Sequence, residues 1–169
     1  MSIPVKKLVR AAIIACLYTV ICILAASFSF GPVQVRISEA FTMLAVFSYD
    51  AIIGVTVGCF LSNMLASAPI DMLVGTLATL ISAILTYRLR KFRVKGLALI
   101  PSIPPVLINA IVIGIELTFL YFPPEAAKSV WLMNILTVGA GQLISCSIIG
   151  VLLVYILERN PSALRLMSD

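Results

Sequence analysis

Histidine is absent from this 169-residue chain, and charged side chains supply only 11% of it. Without imidazole, the commonest general base and a standard zinc ligand are both missing. So few charges cannot cover a soluble globule when 62% of the residues are apolar and the mean hydropathy is +1.15. No GxxxxGK[ST] phosphate loop, GxSxG elbow or CxxC pair occurs. The chain therefore carries no ATP-hydrolysing or acyl-transfer signature, and no metal and no cofactor is expected. Long polar segments are lacking too. No joint between apolar stretches exceeds roughly a dozen residues, well short of the ~50 that an independent soluble core needs. Cys16, Cys22, Cys59 and Cys146 all lie within apolar runs and read as packing residues. Neither low-complexity sequence nor an internal repeat is present, which argues against the inverted repeats of many secondary transporters.

What is there is apolar sequence in helix-length pieces. A spanning helix needs about 20 apolar residues to cross a ~30 Å hydrocarbon core, and lipid obliges the backbone to satisfy its own hydrogen bonds. Stretches 8–28, 38–47, 51–66, 70–87, 103–121 and 131–157 read as helices, the second of them short. If the second did not cross, Arg88, Arg90, Lys91, Arg93 and Lys95 would lie opposite Lys6, Lys7 and Arg10, against the positive-inside rule. The expectation is an all-α integral membrane protein with six transmembrane helices, both termini cytoplasmic, and a single membrane domain over residues 1–169. Of 12 Lys and Arg residues, only Arg36 and Lys128 then lie outside. The net charge of +5 reads as topology and anchoring to the lipid bilayer, with no nucleic acid as partner. The first apolar stretch exceeds the ~7–15 residues of a signal-peptide core and reads as a retained helix. Pro101, Pro104 and Pro105 place the start of the fifth helix near 102–104.

Polar residues interrupt these helices mostly in their outer halves. Glu39 opens the second helix and Asp71 the fourth, Asn63 nears the outer end of the third, and Glu116 and Asn134 sit in the outer parts of the fifth and sixth. An ionised carboxylate at mid-helix costs roughly 2.5–3.5 kcal/mol on insertion scales, so such groups face protein or water. Glu116 is the strongest binding candidate, and Asn109 shares its face two turns away. Asp71 and Glu39 also fit simple stabilisation by a helix dipole. Most glycine, serine and threonine positions read as close helix packing, including the pair Gly54 and Gly58. Ala11, Ala15, Thr19, Cys22 and Ala26 form one small-residue face on the first helix. Spacing leaves open whether its partner helix belongs to this chain or to another.

Residues 31–44 read GPVQVRISEAFTML, followed by the third helix with Asn63 and then IDMLVGTLATLISAILTYRLR. This pattern resembles the QueT family, which are substrate-binding S components of energy-coupling-factor (ECF) transporters. The resemblance implies a six-helix protein of a prokaryotic plasma membrane that captures a queuosine precursor, a 7-deazaguanine base, from outside. Its implied partners are a transmembrane T component, met through Ala11 and Ala15, and two ABC-type ATPases. It also implies that residues 30–37 form a lid carrying Gln34 and Arg36. A carboxylate and an amide, Glu116 and Asn134, suit the hydrogen-bonding edge of a guanine-like base. Asp71 or Glu39 would pair with a 7-aminomethyl cation, and Trp131 or Tyr121 would stack on the ring. Arg36 is left with two roles, bonding the substrate carbonyl or pairing with Glu39. The substrate-binding set is then Gln34, Arg36, Glu39, Asn63, Asp71, Asn109, Glu116, Trp131 and Asn134. Rival readings are a stand-alone proton-coupled transporter, an S component for another vitamin or nucleobase, and a small membrane enzyme, which would lack its usual base.

Overall fold

The computed structural model describes residues 5–25 and 35–167, whose regular elements are helices, with no strand among the described residues. Helix α1 is Val5–Leu24, α2 is a 3-10 helix at Ile37–Val46, α3 is Tyr49–Ala66 and α4 is Pro69–Arg88. A short 3-10 turn, Ile100–Ser102, leads into α5 at Ile103–Tyr121. The sixth helix, α6, runs as Pro124–Gln142, widens into a π-helical stretch at Leu143–Gly150 and resumes as Val151–Arg159. A short α7, Pro161–Met167, follows. Five of these, α1, α3, α4, α5 and α6, are long and apolar enough to cross a membrane, and their outward sides are lined with large apolar side chains. The chain is an all-α membrane protein. The prolines set the start of α5 where the sequence places it, whereas α6 starts at Pro124 rather than at residue 131. Proline in the first turn with Glu125 beside it is the helix-start signal there.

Helices α1 and α3 run side by side in the same direction. Arg10 Nη1 lies 2.8 Å from Asp50 Oδ2 at their starts, and Thr19 Oγ1 donates to the Gly58 carbonyl at 3.1 Å further along. Their backbones approach until nothing larger than hydrogen fits. A Cβ on Gly54 would stand 2.8 Å from the Ala11 carbonyl oxygen, and one on Gly58 would stand 2.7 Å from Tyr18 Cβ. Ala11 and Ala15 are therefore buried against α3 of their own chain. Gly58→Ala is expected to cost about 1–3 kcal/mol through overpacking. The check is the melting temperature of the detergent-solubilised protein, with Gly139→Ala, facing only the Ala110 methyl at 3.3 Å, as the mild comparison.

Two consecutive parallel helices oblige the chain between them to run back, and α2 makes that return. Its first end meets the start of α4 through Arg36 and Asp71, and its last residue, Val46, packs in the cluster that holds Ala98 beyond α4. The 3-10 form suits the task, since a rise of ~2.0 Å carries ten residues about 20 Å, against about 15 Å for an α-helix. Most of α2 is buried, Ser38 to Ala40 and Thr42 to Val46 alike. Gly150 lets the π stretch of α6 close on it: a Cβ there would stand 2.6 Å from Met43 Cγ.

Basic residues gather at one end of the bundle. Arg93 pairs with Glu158 at 2.7 Å, Arg10 donates to the Met167 carbonyl at 3.1 Å, and the Tyr49 and Tyr87 rings lie 4.2 Å apart. Lys95 and Gly96, both at positive φ, close a tight turn between Val94 and Leu97.

Candidate functional site

The interior carries two polar clusters that differ in how fully they are satisfied. In the first, Tyr18 Oη donates to Glu39 Oε1 at 2.6 Å and Thr79 Oγ1 to the same oxygen at 3.2 Å, while Thr42 Oγ1 donates to Oε2 at 2.9 Å. Three hydroxyls from α1, α4 and α2 thus hold one buried carboxylate, which ties the 3-10 helix to its neighbours. Glu39 has a structural role in this arrangement. Tyr18→Phe removes the shortest of these bonds from a site 1% exposed at Tyr18 and is expected to cost about 1.5–3 kcal/mol, the range for bonds to a charged group. Thermal unfolding in detergent measures it.

The second cluster lies where α2 begins, α3 ends and α4 starts. Arg36 Nη2 donates to Asp71 Oδ2 at 2.7 Å, and Ser67 Oγ donates to the same oxygen at 2.5 Å. Asn63 Nδ2 donates to the Asp71 backbone carbonyl at 3.0 Å. Arg36 thus pairs with Asp71 and not with Glu39, whose oxygens are engaged by the three hydroxyls. Position in the first turn of α4 favours the Asp71 anion, but the ion pair with Arg36 defines its side chain. Gly75 gives this cluster room, for a Cβ there would stand 2.5 Å from Asp71 Oδ1 and 2.9 Å from Asn63 Nδ2.

Buried polar atoms with no hydrogen-bond partner among the described residues occur at several points of the interior. They include Asp71 Oδ1 and Asn63 Oδ1 of this cluster, Asn109 Nδ2 on α5 and both carboxylate oxygens of Glu116, besides hydroxyls such as those of Ser38, Ser82 and Ser145. Glu116 is 9% exposed and Asn109 2%, and the Glu116 carboxyl lies within electrostatic reach of Asp71 and Arg36. An unmade bond at a buried polar atom costs about 1–3 kcal/mol, and a carboxyl with both oxygens unpartnered carries the largest such penalty. Two carboxylates of this region, Asp71 and Glu116, share the single guanidinium of Arg36, which is bonded to Asp71. The arrangement offers acceptors for N–H donors and one amide donor. Such groups can hydrogen-bond a polar molecule.

Other residues singled out in the sequence lie elsewhere. Asn134 Nδ2 donates to Thr118 Oγ1 at 2.9 Å and locks α6 to α5. Trp131 is exposed on the wall of a cavity of about 630 Å³ between the end of α5 and the start of α6, with Phe119, Phe122 and Lys128. None of the polar-cluster residues lines that cavity. Gln34 and most of the expected lid fall outside the described residues, leaving Arg36 as the described polar residue of that segment. Tyr18, Thr42 and Ser67 were not among the sequence candidates. Tyr18 is signalled by a lone phenol within an apolar helix, and Ser67 by its place just ahead of Pro69.

A protein named Queuosine precursor transporter QueT, from Lactococcus lactis subsp. cremoris (strain MG1363), is 40% identical over 76 residues. The shared region is 44% of this chain and 45% of that one, so the chain matches just under half the relative's length. No solved structure matches. The family model described as QueT transporter matches residues 8–159, nearly the whole helical bundle. The chain belongs to the QueT transporter family.

Proposed function

We propose that this chain is the substrate-capture subunit of an ATP-driven ECF importer, binding a queuosine precursor of the 7-deazaguanine class from outside the cell. The observation that carries this reading is the Glu116 carboxyl, buried with both oxygens unpartnered, within electrostatic reach of the Arg36–Asp71 pair and on the helix face that carries Asn109. A guanine-like edge presents two parallel N–H donors to Glu116 and a carbonyl to Asn109 Nδ2. Asp71 Oδ1 and Asn63 Oδ1 then accept from an aminomethyl cation.

Six crossings, with α2 as the second, and cytoplasmic termini complete the proposal. The parallel run of α1 and α3 supports the extra crossing, and the gathering of basic residues at one end supports the orientation. A prokaryotic plasma membrane is the implied location. Energy comes from two ABC-type ATPases acting through a T component, because the chain has no phosphate loop of its own. Since Ala11 and Ala15 face α3, the T component meets α1 on its exposed side, where Ala12 and Cys16 stand one turn apart.

Reconstitution tests the division of labour. Vesicles holding this chain alone are expected to bind radiolabelled 7-aminomethyl-7-deazaguanine without accumulating it, and to accumulate it with ATP once the T component and ATPases are added. Uptake by the chain alone, driven by a pH gradient, would replace this reading with a proton-coupled transporter.

A further inference from the structure

The cavity between α5 and α6 is unlike the polar clusters, and it has a chemistry of its own. Its wall is formed by Ile115, Phe119, Phe122, Ala127 and Trp131, with the ammonium of Lys128 the one charged group on it. Phe119 and Trp131 are 76% and 47% exposed, so the cavity opens on the outer surface of the bundle and not into its core. Tyr121, Phe122 and Trp131 cluster where α5 ends and α6 begins, which is the aromatic belt of a membrane–water interface. Lys128, in the first turns of α6, therefore stands at headgroup depth, while Ile115 and Phe119 line the part of the cavity that descends along α5 toward the hydrocarbon. Among the described residues Lys128 has no ion-pair or hydrogen-bond partner. Glu125, exposed on the preceding turn, is the one acidic residue in that first stretch of α6.

We infer that this cavity is a binding site for a phospholipid with an anionic headgroup. One acyl chain lies along Ile115 and Phe119, and the phosphate meets Lys128. The volume of about 630 Å³ suits part of a chain and a glycerol, and an apolar wall topped by one cation matches an amphiphile bearing one negative charge. The wall offers no set of donors and acceptors for the edge of a base, which separates this site from the one around Glu116. The inference rests on the membrane setting alone and stands whatever the transported substrate is.

The chain contains a single tryptophan, and it is Trp131 on this wall. Its fluorescence in vesicles therefore reads this site directly. Quenching by phosphatidylglycerol brominated on its acyl chains is compared with quenching by equally brominated phosphatidylcholine at the same mole fraction. A preference of about fivefold for phosphatidylglycerol is expected, the contribution of one lysine at an anionic surface. Lys128→Gln, a change at an exposed position, should bring the ratio to about one. Lys91→Gln, at the basic end of the bundle, should leave it unchanged, and Glu125→Gln should raise it. Equal quenching of the wild-type protein by the two lipids, or a preference that survives Lys128→Gln, overturns the inference. Loss of the preference on adding inorganic phosphate at constant ionic strength also overturns it, because the site would then take the free anion and not the lipid.

Discussion

Glu116→Gln is expected to weaken binding of 7-aminomethyl-7-deazaguanine by about a hundredfold or more while leaving the melting temperature unchanged or slightly raised. Glutamine has the shape of glutamate but turns one of two acceptors into a donor, which then faces an N–H of the base, and it removes the charge. Hydrogen bonds to a charged group contribute about 1.5–3 kcal/mol each, so losing one and straining the other amounts to roughly 3 kcal/mol. Stability moves the other way. The Glu116 oxygens have no partner among the described residues, and an unpaired buried carboxylate costs the fold whatever it offers a guest. A purely structural Glu116 would lower the melting temperature and spare the affinity. Calorimetry and thermal unfolding on the same preparation separate the two.

Arg36→Ala is expected to be the most destabilising single change. It leaves Asp71, 7% exposed, without its guanidinium, and breaking a buried pair from one side costs about 3–5 kcal/mol. Adding Asp71→Asn removes the stranded charge and should recover most of that loss, because Ser67 and Asn63 continue to hold the start of α4. The measurement is a double-mutant cycle read by thermal unfolding in detergent. The double variant should regain its melting temperature but not its affinity, since Asp71 also supplies an acceptor to the proposed site. If Arg36→Ala melts with the wild type, the ion pair is not what fastens α2 to α4.

Much of the helical order was legible because membrane spans announce themselves by long apolar runs, and prolines mark their starts. The start of α5 follows directly from Pro104 and Pro105, and its end at Tyr121 coincides with the end of the apolar run. The fine form of α2 was not legible. Composition cannot distinguish ten α-helical residues from ten 3-10 residues, and the parallel packing of α1 on α3 that the longer rise suits is not written in it. The same packing decided the fate of Ala11 and Ala15. Spacing showed a small-residue face but not its partner, and the partner is the Gly54 and Gly58 face of the same chain. Among the carboxylates, position along the chain set Glu116 ahead of Asp71 and Glu39 but could not give the partners of any of them. Their roles depend on neighbours from distant segments: Tyr18 and Thr79 for Glu39, Arg36 for Asp71, and no hydrogen-bond partner among the described residues for Glu116. Asn134 shows the converse, a polar residue at a promising depth whose bond to Thr118 fastens two helices together.

The most direct test of the proposed site is calorimetric titration of the purified, detergent-solubilised chain with 7-aminomethyl-7-deazaguanine, with queuine, guanine and riboflavin as comparators. The account predicts one saturable site for a deazaguanine and no heat of binding for riboflavin. Failure to bind any deazaguanine would contradict it, and the open valences around Glu116 would then belong to a different guest.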